Sequence, residues 1–177
     1  LHAITIQNFT IAQETERIVN LLAEHGIHAI PYKGVAFSKA FYGDISMRES
    51  SDIDLIVPKS AIRNAIQPLE QDGYTVSHFQ VLPNADKSYF SKNKDLCFDK
   101  ITNHGNSHVE LHWMITHPNL GAPLLINCFD LPSHTLSDAE HFRATLLHHM
   151  VHDGIEYLKT VIDIAQSIVT TQQREEI

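Results

Sequence analysis

The stretch Ser-Asp-Ile-Asp-Leu-Ile-Val at residues 51–57 decides the fold of this chain. Its apolar residues predict a buried β-strand, and side-chain alternation along a strand places Asp52 and Asp54 together on one face. Like charges this close repel each other, and aspartate is unfavourable inside a strand. A bound divalent cation is the simplest reason to keep the pair, because its charge would neutralise both carboxylates.

A second acidic strand is predicted downstream, at residues 107–114. Alternation places Glu110 on its polar face, so Glu110 completes a carboxylate triad if this strand adjoins the aspartate strand. Oxygen ligands suit Mg²⁺ or Mn²⁺, and carboxylates about 7 Å apart along a strand can hold one ion or bracket two. Asp52 and Asp54 alone would also fit a solvated strand face, so the metal site depends on the whole combination.

Lys33-Gly34 lies upstream, between an apolar strand predicted at residues 27–31 and a helix predicted at residues 35–42. Glycine lets the backbone approach a phosphate closely, and the start of a helix offers unpaired N–H groups. Lys33 can neutralise phosphate oxygens. We interpret the pair as a phosphate-binding turn, and a plain turn with a solvated lysine is the alternative.

Arg48 and Ser51 lie in the polar segment that leads into the aspartate strand. Arg48 can pair with Asp52 or Asp54, or it can bind the phosphates of a nucleotide. Ser51 is either a further nucleotide-binding residue or a turn residue. Both are therefore candidate nucleotide-binding residues.

Composition limits the kinds of partner. The 177 residues are 43% apolar and 19% charged, which is ordinary for a soluble globular protein. A net charge of −8 argues against a general nucleic-acid-binding surface. No apolar run approaches the ~20 residues that span a bilayer, and no signal peptide is evident. The two cysteines, Cys97 and Cys128, make neither a disulfide framework nor a zinc-ligand spacing. Two reduced, packed thiols of a cytosolic protein are therefore favoured over a single disulfide. We expect a cytoplasmic protein without a membrane partner.

The periodicities along the chain predict an α/β (α+β) fold, with a mixed sheet flanked by helices and further helices at the C-terminus. The expected organisation is an α/β core at residues 1–116 and a loop with a helical region at residues 117–177 packed on it. The predicted helices span residues 10–25, 35–42, 60–73, 137–153 and 155–170, and the strands span residues 27–31, 52–57, 74–81, 87–91, 95–101 and 107–114.

The last two helices carry further signals. A capping box at residues 137–140 is predicted to open the first of them. The apolar residues of the second are expected to face inward: Leu158, Val161, Ile162, Ala165 and Ile168.

Histidine is frequent, with 13 residues in the chain. His148 and His152 have the four-residue spacing of a zinc site, but no third ligand is evident, which favours a structural or substrate-facing role for them and for His149. His112 is interpreted as an ordinary histidine on the sheet face, and Trp113 as a core residue.

Together these motifs resemble the uncharacterised nucleotidyltransferase family, a member of the DNA polymerase β-like nucleotidyltransferase superfamily. The resemblance covers about residues 25–115, and the helices around His149, His152, Leu158 and Asp163 are similar as well. It rests on Lys33-Gly34, Tyr42, Arg48, the strand at residues 52–57, Gly73-Tyr74 and the Glu-Leu-His-Trp run at residues 110–113.

This resemblance implies a minimal nucleotidyltransferase fold over residues 1–116. The implied activity moves a nucleoside monophosphate from a nucleoside triphosphate to a hydroxyl acceptor, which is a small molecule, a protein or an RNA. By resemblance, Asp52, Asp54 and Glu110 are the catalytic residues and the ligands of two Mg²⁺ or Mn²⁺ ions, with Glu110 as ligand or base.

By the same resemblance, Gly34 occupies the turn that cradles the triphosphate, beside the candidates Lys33, Arg48 and Ser51. Val35 departs from the superfamily, which usually has Gly or Ser after this glycine. A non-catalytic relative that binds a nucleotide or a partner, in a toxin–antitoxin-like or signalling role, is therefore the alternative. A glycosyltransferase that uses the two aspartates is a third interpretation, but only 51 residues precede them.

Overall fold

The computed structural model of the chain describes residues 2–77, 87–116, 136–153 and 157–175. In these residues five strands form one mixed sheet in the order β1-β2-β5-β4-β3. β2 and β5 run parallel, and the other neighbouring strands run antiparallel. The strands are β1 (Ile30–Pro31), β2 (Ile53–Ile56), β3 (Thr75–Val76), β4 (Asp95–Thr102) and β5 (Gly105–His112). This mixed sheet confirms the predicted fold class.

Helices flank the sheet. The α-helices are α1 (His2–Glu24), α2 (Gly34–Phe37), α3 (Ile62–Gln71), α4 (Lys87–Lys92), α5 (Asp138–His148) and α6 (Leu158–Glu175). α2 and α5 continue as π-helical turns over Ser38–Tyr42 and His149–Asp153, and 3₁₀ turns span Ile45–Met47 and Lys59–Ala61. Within the described part of the chain, no helix combines the length and the apolar character that crossing a membrane requires.

One face of the sheet packs on α1 and α3 in the main hydrophobic core. Ile53 and Leu55 of β2 and Val109 and Leu111 of β5 point to this face, as their alternation predicts, and Trp113 joins them. Burying one such aliphatic side chain stabilises the fold by about 1.5–3 kcal/mol. The core therefore fixes which residues of β2 and β5 face the other way.

The opposite face carries polar side chains at its centre. A smaller apolar cluster lies on this face, formed by Ile30, Tyr32, Ile56, Ile115 and Ala144, the last of which belongs to α5. Asp54 alternates with the core residues of β2 and is buried, with 5% of its surface exposed. The strand pattern at residues 52–57 thus leads to a buried carboxylate, where the sequence alone also allowed a solvated face.

The first helix is longer than predicted. The helix expected at residues 10–25 begins at His2. The added turns carry Asn8, which is fully buried and donates its amide to the carbonyl oxygen of Arg48 at 2.7 Å. The side-chain oxygen of Asn8 accepts the N–H of Ser50 at 3.1 Å. These contacts with a distant segment stabilise helical turns that the local sequence pattern does not reveal.

The strand predicted at residues 87–91 is wrong, because these residues belong to α4. Tyr89 and Phe90 pack their rings on Trp113, with centroid distances of 6.1 Å and 5.1 Å. Aromatic residues favour strands because they suit a half-buried surface, and here a short helix provides that surface.

Other predicted boundaries are partly described. The capping box is confirmed: the Ser137 hydroxyl accepts the N–H of Glu140, and the Glu140 carboxylate accepts the N–H of Ser137. The strand predicted at residues 74–81 is present as β3, whereas residues 78–81 lie outside the described residues. Most of the predicted loop, residues 117–135, also lies outside them, and the division at residue 116 stays a prediction.

α6 turns its polar side inward, so the predicted orientation of this helix is wrong. Thr160, Asp163 and Ser167 are buried. The residues predicted to face inward are exposed: Leu158, Val161, Ile162, Ala165 and Ile168. Asp163 forms an ion pair with Arg48, and this contact with a distant charge explains the rotation better than the apolar pattern does.

Candidate active site

The parallel pairing of β2 and β5 places Asp54 directly beside Glu110. His112, at the end of β5, contacts both carboxylates: its Nε2 is 2.9 Å from Asp54 Oδ1 and 3.0 Å from Glu110 Oε2. The ligand atoms of these three residues, which we call the carboxylate cluster, lie within 4.8 Å of one another. The predicted neighbourhood of the two acidic strands is confirmed.

Lys33 reaches the carboxylate cluster from the turn after β1. The N–H of Tyr32 donates to the carbonyl oxygen of Asp54 at 3.3 Å and holds this turn beside β2. Lys33 Nζ lies 2.6 Å from Asp54 Oδ1 and 4.0 Å from Glu110 Oε2. The alternative of a solvated lysine is therefore wrong, since Lys33 forms a buried ion pair. Its predicted contact with phosphate stays a prediction.

Charges within the cluster shift the pKa values of its members. Burial alone would raise the pKa of the Asp54 carboxyl, but the nearby Lys33 and His112 outweigh burial and lower it. Burial also opposes ionisation of Glu110, whose pKa falls well below its usual value because two histidines donate hydrogen bonds to it. Burial would lower the pKa of Lys33, but the surrounding negative charges raise it. All three groups are thus charged at neutral pH.

Asp52 lies beside the carboxylate cluster, just before β2. Its carboxylate does not belong to the carboxylate cluster, whose ligand atoms lie within 4.8 Å of one another. Burial, followed by the negative charge of Asp54, raises the pKa of the Asp52 carboxyl. Of the predicted triad, the structure brings Asp54 and Glu110 together, while Asp52 lies beside them and His112 takes a position that the sequence did not suggest.

The donors of the carboxylate cluster fit a divalent cation. The two carboxylates of the cluster, whose oxygens lie within 4.8 Å of one another, are donors that Mg²⁺ or Mn²⁺ accepts. The ammonium of Lys33, 2.6 Å from Asp54, shows that positive charge is already stabilised at this point.

A pocket of about 390 Å³ opens beside the cluster, and we call it the site pocket. It is lined by every residue predicted to bind the nucleotide and by both predicted aspartates: Lys33, Gly34, Arg48, Ser51, Asp52 and Asp54. The C-terminal helical region closes the other side with His148, His149, Tyr157, Lys159 and Thr160. The structure thus brings the predicted nucleotide-binding residues and both aspartates to one cavity, whereas Glu110 does not line it.

Gly34 is the residue of this pocket whose backbone requires glycine. Its φ is +53°, in the left-handed region that other residues rarely adopt. A Cβ placed there would lie 3.4 Å from the carbonyl oxygen of Asp52 and 3.5 Å from Ser50 Oγ. A Cβ at this position would thus touch the segment that leads into β2 at ordinary contact distance, and the positive φ is what disfavours other residues.

Arg48 pairs with Asp163 of α6, so the predicted pairing with Asp52 or Asp54 is wrong. Arg48 Nε donates to Asp163 Oδ2 at 2.8 Å, and the hydroxyl of Tyr42 donates to Asp163 Oδ1 at 2.8 Å. Since Arg48 also lines the site pocket, Asp163 fixes where this positive charge stands. The apolar pattern of α6 concealed Asp163, and its only signal was an acidic residue within an apolar helix.

Two of the histidines near the site, His112 and His149, are buried. His112 is fully buried between the carboxylates, which the reading as an ordinary sheet-face histidine missed. His149 is buried beside Asp163, with Nε2 3.4 Å from Oδ2. The predicted spacing of His148 and His152 cannot be assessed as a ligand pair, since the side chain of His152 lies outside the described residues.

A second pocket of about 700 Å³ adjoins the first, and we call it the α1 pocket. Ser51 and Asp52 line both pockets, so they mark the boundary between them. Its other walls are α1 and the hairpin of β4 and β5, which contribute mostly polar side chains: Gln7, Thr10, Gln13, Glu14, Arg17, Thr102, His104, Asn106, Ser107 and His108.

Comparison with known proteins gives the family of the chain and agrees with its fold. A family model described as "Uncharacterised nucleotidyltransferase" matches residues 1–176, which confirms the resemblance. A solution structure of the antibiotic-resistance factor ANT(2'')-Ia is similar, with 13% identity, coverage of 93% of this chain and 85% of that chain, and a TM-score of 0.57. A crystal structure of ANT(2'')-Ia in complex with adenylyl-2''-tobramycin has 14% identity, coverage of 94% and 92%, and a TM-score of 0.55. At these identities the likeness shows the fold. No curated protein matches the chain.

Proposed function

Because the chain belongs to the uncharacterised nucleotidyltransferase family, we propose that it moves a nucleoside monophosphate from a nucleoside triphosphate to a hydroxyl acceptor with the help of Mg²⁺ or Mn²⁺. The observation that carries this proposal is the register of β2 and β5, which sets Glu110 beside Asp54, a residue that lines the site pocket. A buried carboxylate beside a partly exposed one, next to a cavity, is typical of sites that handle a metal-bound phosphate.

Asp54 and Glu110 would hold the metal, with Asp52 at the edge available to a second ion. A divalent cation bound there supplies Lewis-acid stabilisation of the phosphoryl oxygens and makes the acceptor hydroxyl more acidic. Glu110 serves as ligand or as the base that takes the acceptor proton. His112 donates its N–H between the two carboxylates and keeps their oxygens in place.

The remaining residues of the site pocket bind and orient the triphosphate. Arg48 presents a guanidinium that Asp163 keeps in position, and Lys33 supplies a second positive charge that can turn from Asp54 to a phosphate oxygen. Gly34 lets the phosphates approach the backbone, and Ser51 offers a hydroxyl at the boundary with the α1 pocket. Positioning of this kind provides most of the protein's contribution to phosphoryl transfer.

The α1 pocket supports a small-molecule acceptor rather than a protein or an RNA. Its volume of about 700 Å³ lies within the range of small-molecule sites, and it meets the site pocket at Ser51 and Asp52. The net charge of −8 disfavours RNA. The similar ANT(2'')-Ia was crystallised with adenylyl-2''-tobramycin, a nucleotidylated small molecule, which is consistent with this choice.

The test uses nucleoside triphosphates labelled at the α-phosphate, Mg²⁺ or Mn²⁺, and pools of hydroxyl-bearing small molecules. We expect metal-dependent transfer of label in the wild type and a loss of about 10³-fold or more in Asp54→Asn, because several kcal/mol of charge stabilisation are removed. Glu70→Gln, which removes one exposed charge from α3, is the matched control and should keep full activity. Equal transfer by wild type and Asp54→Asn would refute the assigned site.

One observation favours the non-catalytic alternative. Lys33 already neutralises Asp54 at 2.6 Å, so the pocket could bind a nucleotide without recruiting a metal. In that case labelled nucleotide would bind in the presence of a chelator, Asp54→Asn would leave the affinity unchanged, and no acceptor would gain label. Dependence of binding on metal would contradict this alternative.

The proposed reaction also bears on two wider predictions. A nucleoside triphosphate substrate is consistent with a cytoplasmic location, which fractionation of cells would test.

Residues of α6 line the site pocket, so residues 117–177 would work together with the core at residues 1–116. A fragment of residues 1–116 should therefore bind nucleotide more weakly than the whole chain.

A further inference from the structure

Three potential metal ligands of different chemistry meet on β4 and β5, next to the carboxylate cluster. Cys97 lies directly across from Glu110 in the register of the two strands, and His108 precedes Glu110 by two residues on the same face. The ligand atoms of these residues lie within 4.8 Å of one another. We propose that Cys97, His108 and Glu110 bind a thiophilic divalent cation of the Zn²⁺ class, at a site that shares only Glu110 with the site proposed for Mg²⁺.

A carboxylate behind His108 already orients its ring. His108 Nδ1 lies 2.7 Å from Asp99 Oδ1, so this nitrogen donates to Asp99, while Nε2 faces Glu110 Oε1 at 3.5 Å. Asp99 is itself held by the amide of Asn106 at 3.2 Å and by the hydroxyl of Ser77. Zinc-binding histidines commonly donate their second ring nitrogen to a carboxylate in this way. Asp99 therefore already holds the His108 ring in the orientation that a metal ligand needs.

The donor set selects for zinc against magnesium. A thiolate and an imidazole favour Zn²⁺ and related ions, whereas Mg²⁺ prefers oxygen ligands alone. Three protein ligands leave one tetrahedral position open. His108 lines the α1 pocket, which gives the ion a path from solvent and supplies space for a water molecule as the fourth ligand.

Sequence spacing did not suggest this site because Cys97 lies on a different strand from His108 and Glu110. Cys97 and His108 are brought together by the turn between β4 and β5, and Glu110 belongs to both metal-capable groups. Zn²⁺ bound to Glu110 would draw this carboxylate away from Asp54. Occupancy of one site therefore weakens the other, which makes zinc an expected inhibitor of the proposed reaction.

The test is titration of the whole protein with Co²⁺, which replaces Zn²⁺ and gives an intense near-ultraviolet band when a thiolate binds it. We expect the band in the wild type, its loss in Cys97→Ser, and its retention in Cys128→Ser, which changes the only other cysteine. Addition of Zn²⁺ should displace the cobalt and remove the band. Absence of the band in the wild type, or its persistence in Cys97→Ser, would overturn the proposal.

A second variant tests the support of His108 without removing a ligand. Asp99→Asn should weaken cobalt binding by about 10–100-fold, as loss of such a supporting carboxylate typically does. Glu70→Gln should leave the affinity unchanged, and circular dichroism verifies that each variant is folded. Unchanged affinity in Asp99→Asn would contradict the proposed geometry. Since no nucleotide is present, this result does not depend on whether the protein transfers nucleotides.

Discussion

Two buried aspartates, Asp54 and Asp163, serve the same pocket from different parts of the fold. Asp54 is on β2 and lines the site pocket, whereas Asp163 is on α6 and acts through Arg48. Each forms one close ion pair: Asp54 with Lys33 at 2.6 Å, and Asp163 with Arg48 at 2.8 Å.

Their surroundings differ in charge. Asp54 shares the N–H of His112 with Glu110, so two carboxylates compete for the same positive partners. Asp163 instead receives hydrogen bonds from Arg48 and from Tyr42. The strand region, β2 and β5, therefore has negative charge available for a cation, whereas in the helix region, α6, Asp163 holds an arginine in place. One aspartate is suited to bind a metal and the other to position a residue.

The largest expected effect comes from removing each aspartate's charge in turn. Asp163→Asn should lower the free energy of unfolding by about 3–5 kcal/mol, because Arg48 would stay buried without its ionic partner. Asp54→Asn should cost about 1 kcal/mol or less, because Lys33 keeps Glu110 and repulsion between the carboxylates is relieved. Urea denaturation of both variants measures the difference.

Glu16→Gln provides the control for this comparison, since Glu16 is exposed on α1 and its removal should change stability by no more than about 0.5 kcal/mol. Equal losses in Asp54→Asn and Asp163→Asn would show that the two regions do not differ as described. A larger loss in Asp54→Asn would reverse the roles assigned to them.

His141 connects the two regions and should make their packing sensitive to pH. Its Nε2 donates to the carbonyl oxygen of Tyr32, next to Lys33, while its ring packs on Phe37 and Phe41, close to Tyr42. Burial lowers the pKa of His141 from 6.5 to about 4. Asp138 acts to raise this pKa and Arg48 to lower it, but burial dominates.

A histidine with a lowered pKa stabilises the folded state fully above its unfolded pKa. As the pH falls from about 6.5 to about 4, His141 binds a proton in the unfolded chain but stays neutral in the folded chain. The free energy of unfolding therefore falls by about 3 kcal/mol. Denaturation at pH 7.5 and pH 4.5 should show this loss in the wild type and a smaller one in His141→Gln. The same pH dependence in both would exclude His141 as its source.

One glycine in each region has a backbone conformation that other residues rarely adopt. Gly34 adjoins Asp52, and Gly43 follows Tyr42, and both have a positive φ, of +53° and +76°. Gly34→Ala and Gly43→Ala should each cost about 1–2 kcal/mol for the left-handed conformation. Only a Cβ at Gly34 meets neighbouring atoms within 4 Å, so nucleotide binding, measured by calorimetry, should weaken in Gly34→Ala alone.

The strand region could be predicted in detail because its rules are local. Side-chain alternation at residues 52–57 and 107–114 fixes the faces of Asp54 and Glu110. Only this register of the strands buries their apolar side chains in the main core. The ion pair of Lys33 could not be predicted, because a lysine after a short strand is equally compatible with solvent. The position of His112 between two carboxylates depends on a parallel pairing across 58 residues of sequence separation, which no local pattern contains.

The inward face of α6 was predicted wrongly for a different physical reason. An apolar stripe predicts the inward face of a helix when burial of apolar surface is the main contribution. In α6 the ion pair of Asp163 and the hydrogen bonds of its neighbours outweigh that contribution, and the helix presents the stripe to solvent. The grouping of Cys97 and His108 with Glu110 could not be predicted, because it arises from pairing across the β4–β5 hairpin rather than from spacing along the chain.

The orientation of α6 gives the smallest expected effect. Ile162 is 47% exposed, so Ile162→Gln should change the free energy of unfolding by less than about 0.5 kcal/mol. Ile18→Gln, at a fully buried position of α1, should cost about 3 kcal/mol or more, because it removes a core side chain and buries an amide. A loss above about 2 kcal/mol in Ile162→Gln would mean that the apolar stripe is buried after all. Asp163 would then face away from Arg48, and the contrast between the two aspartates would fail with it.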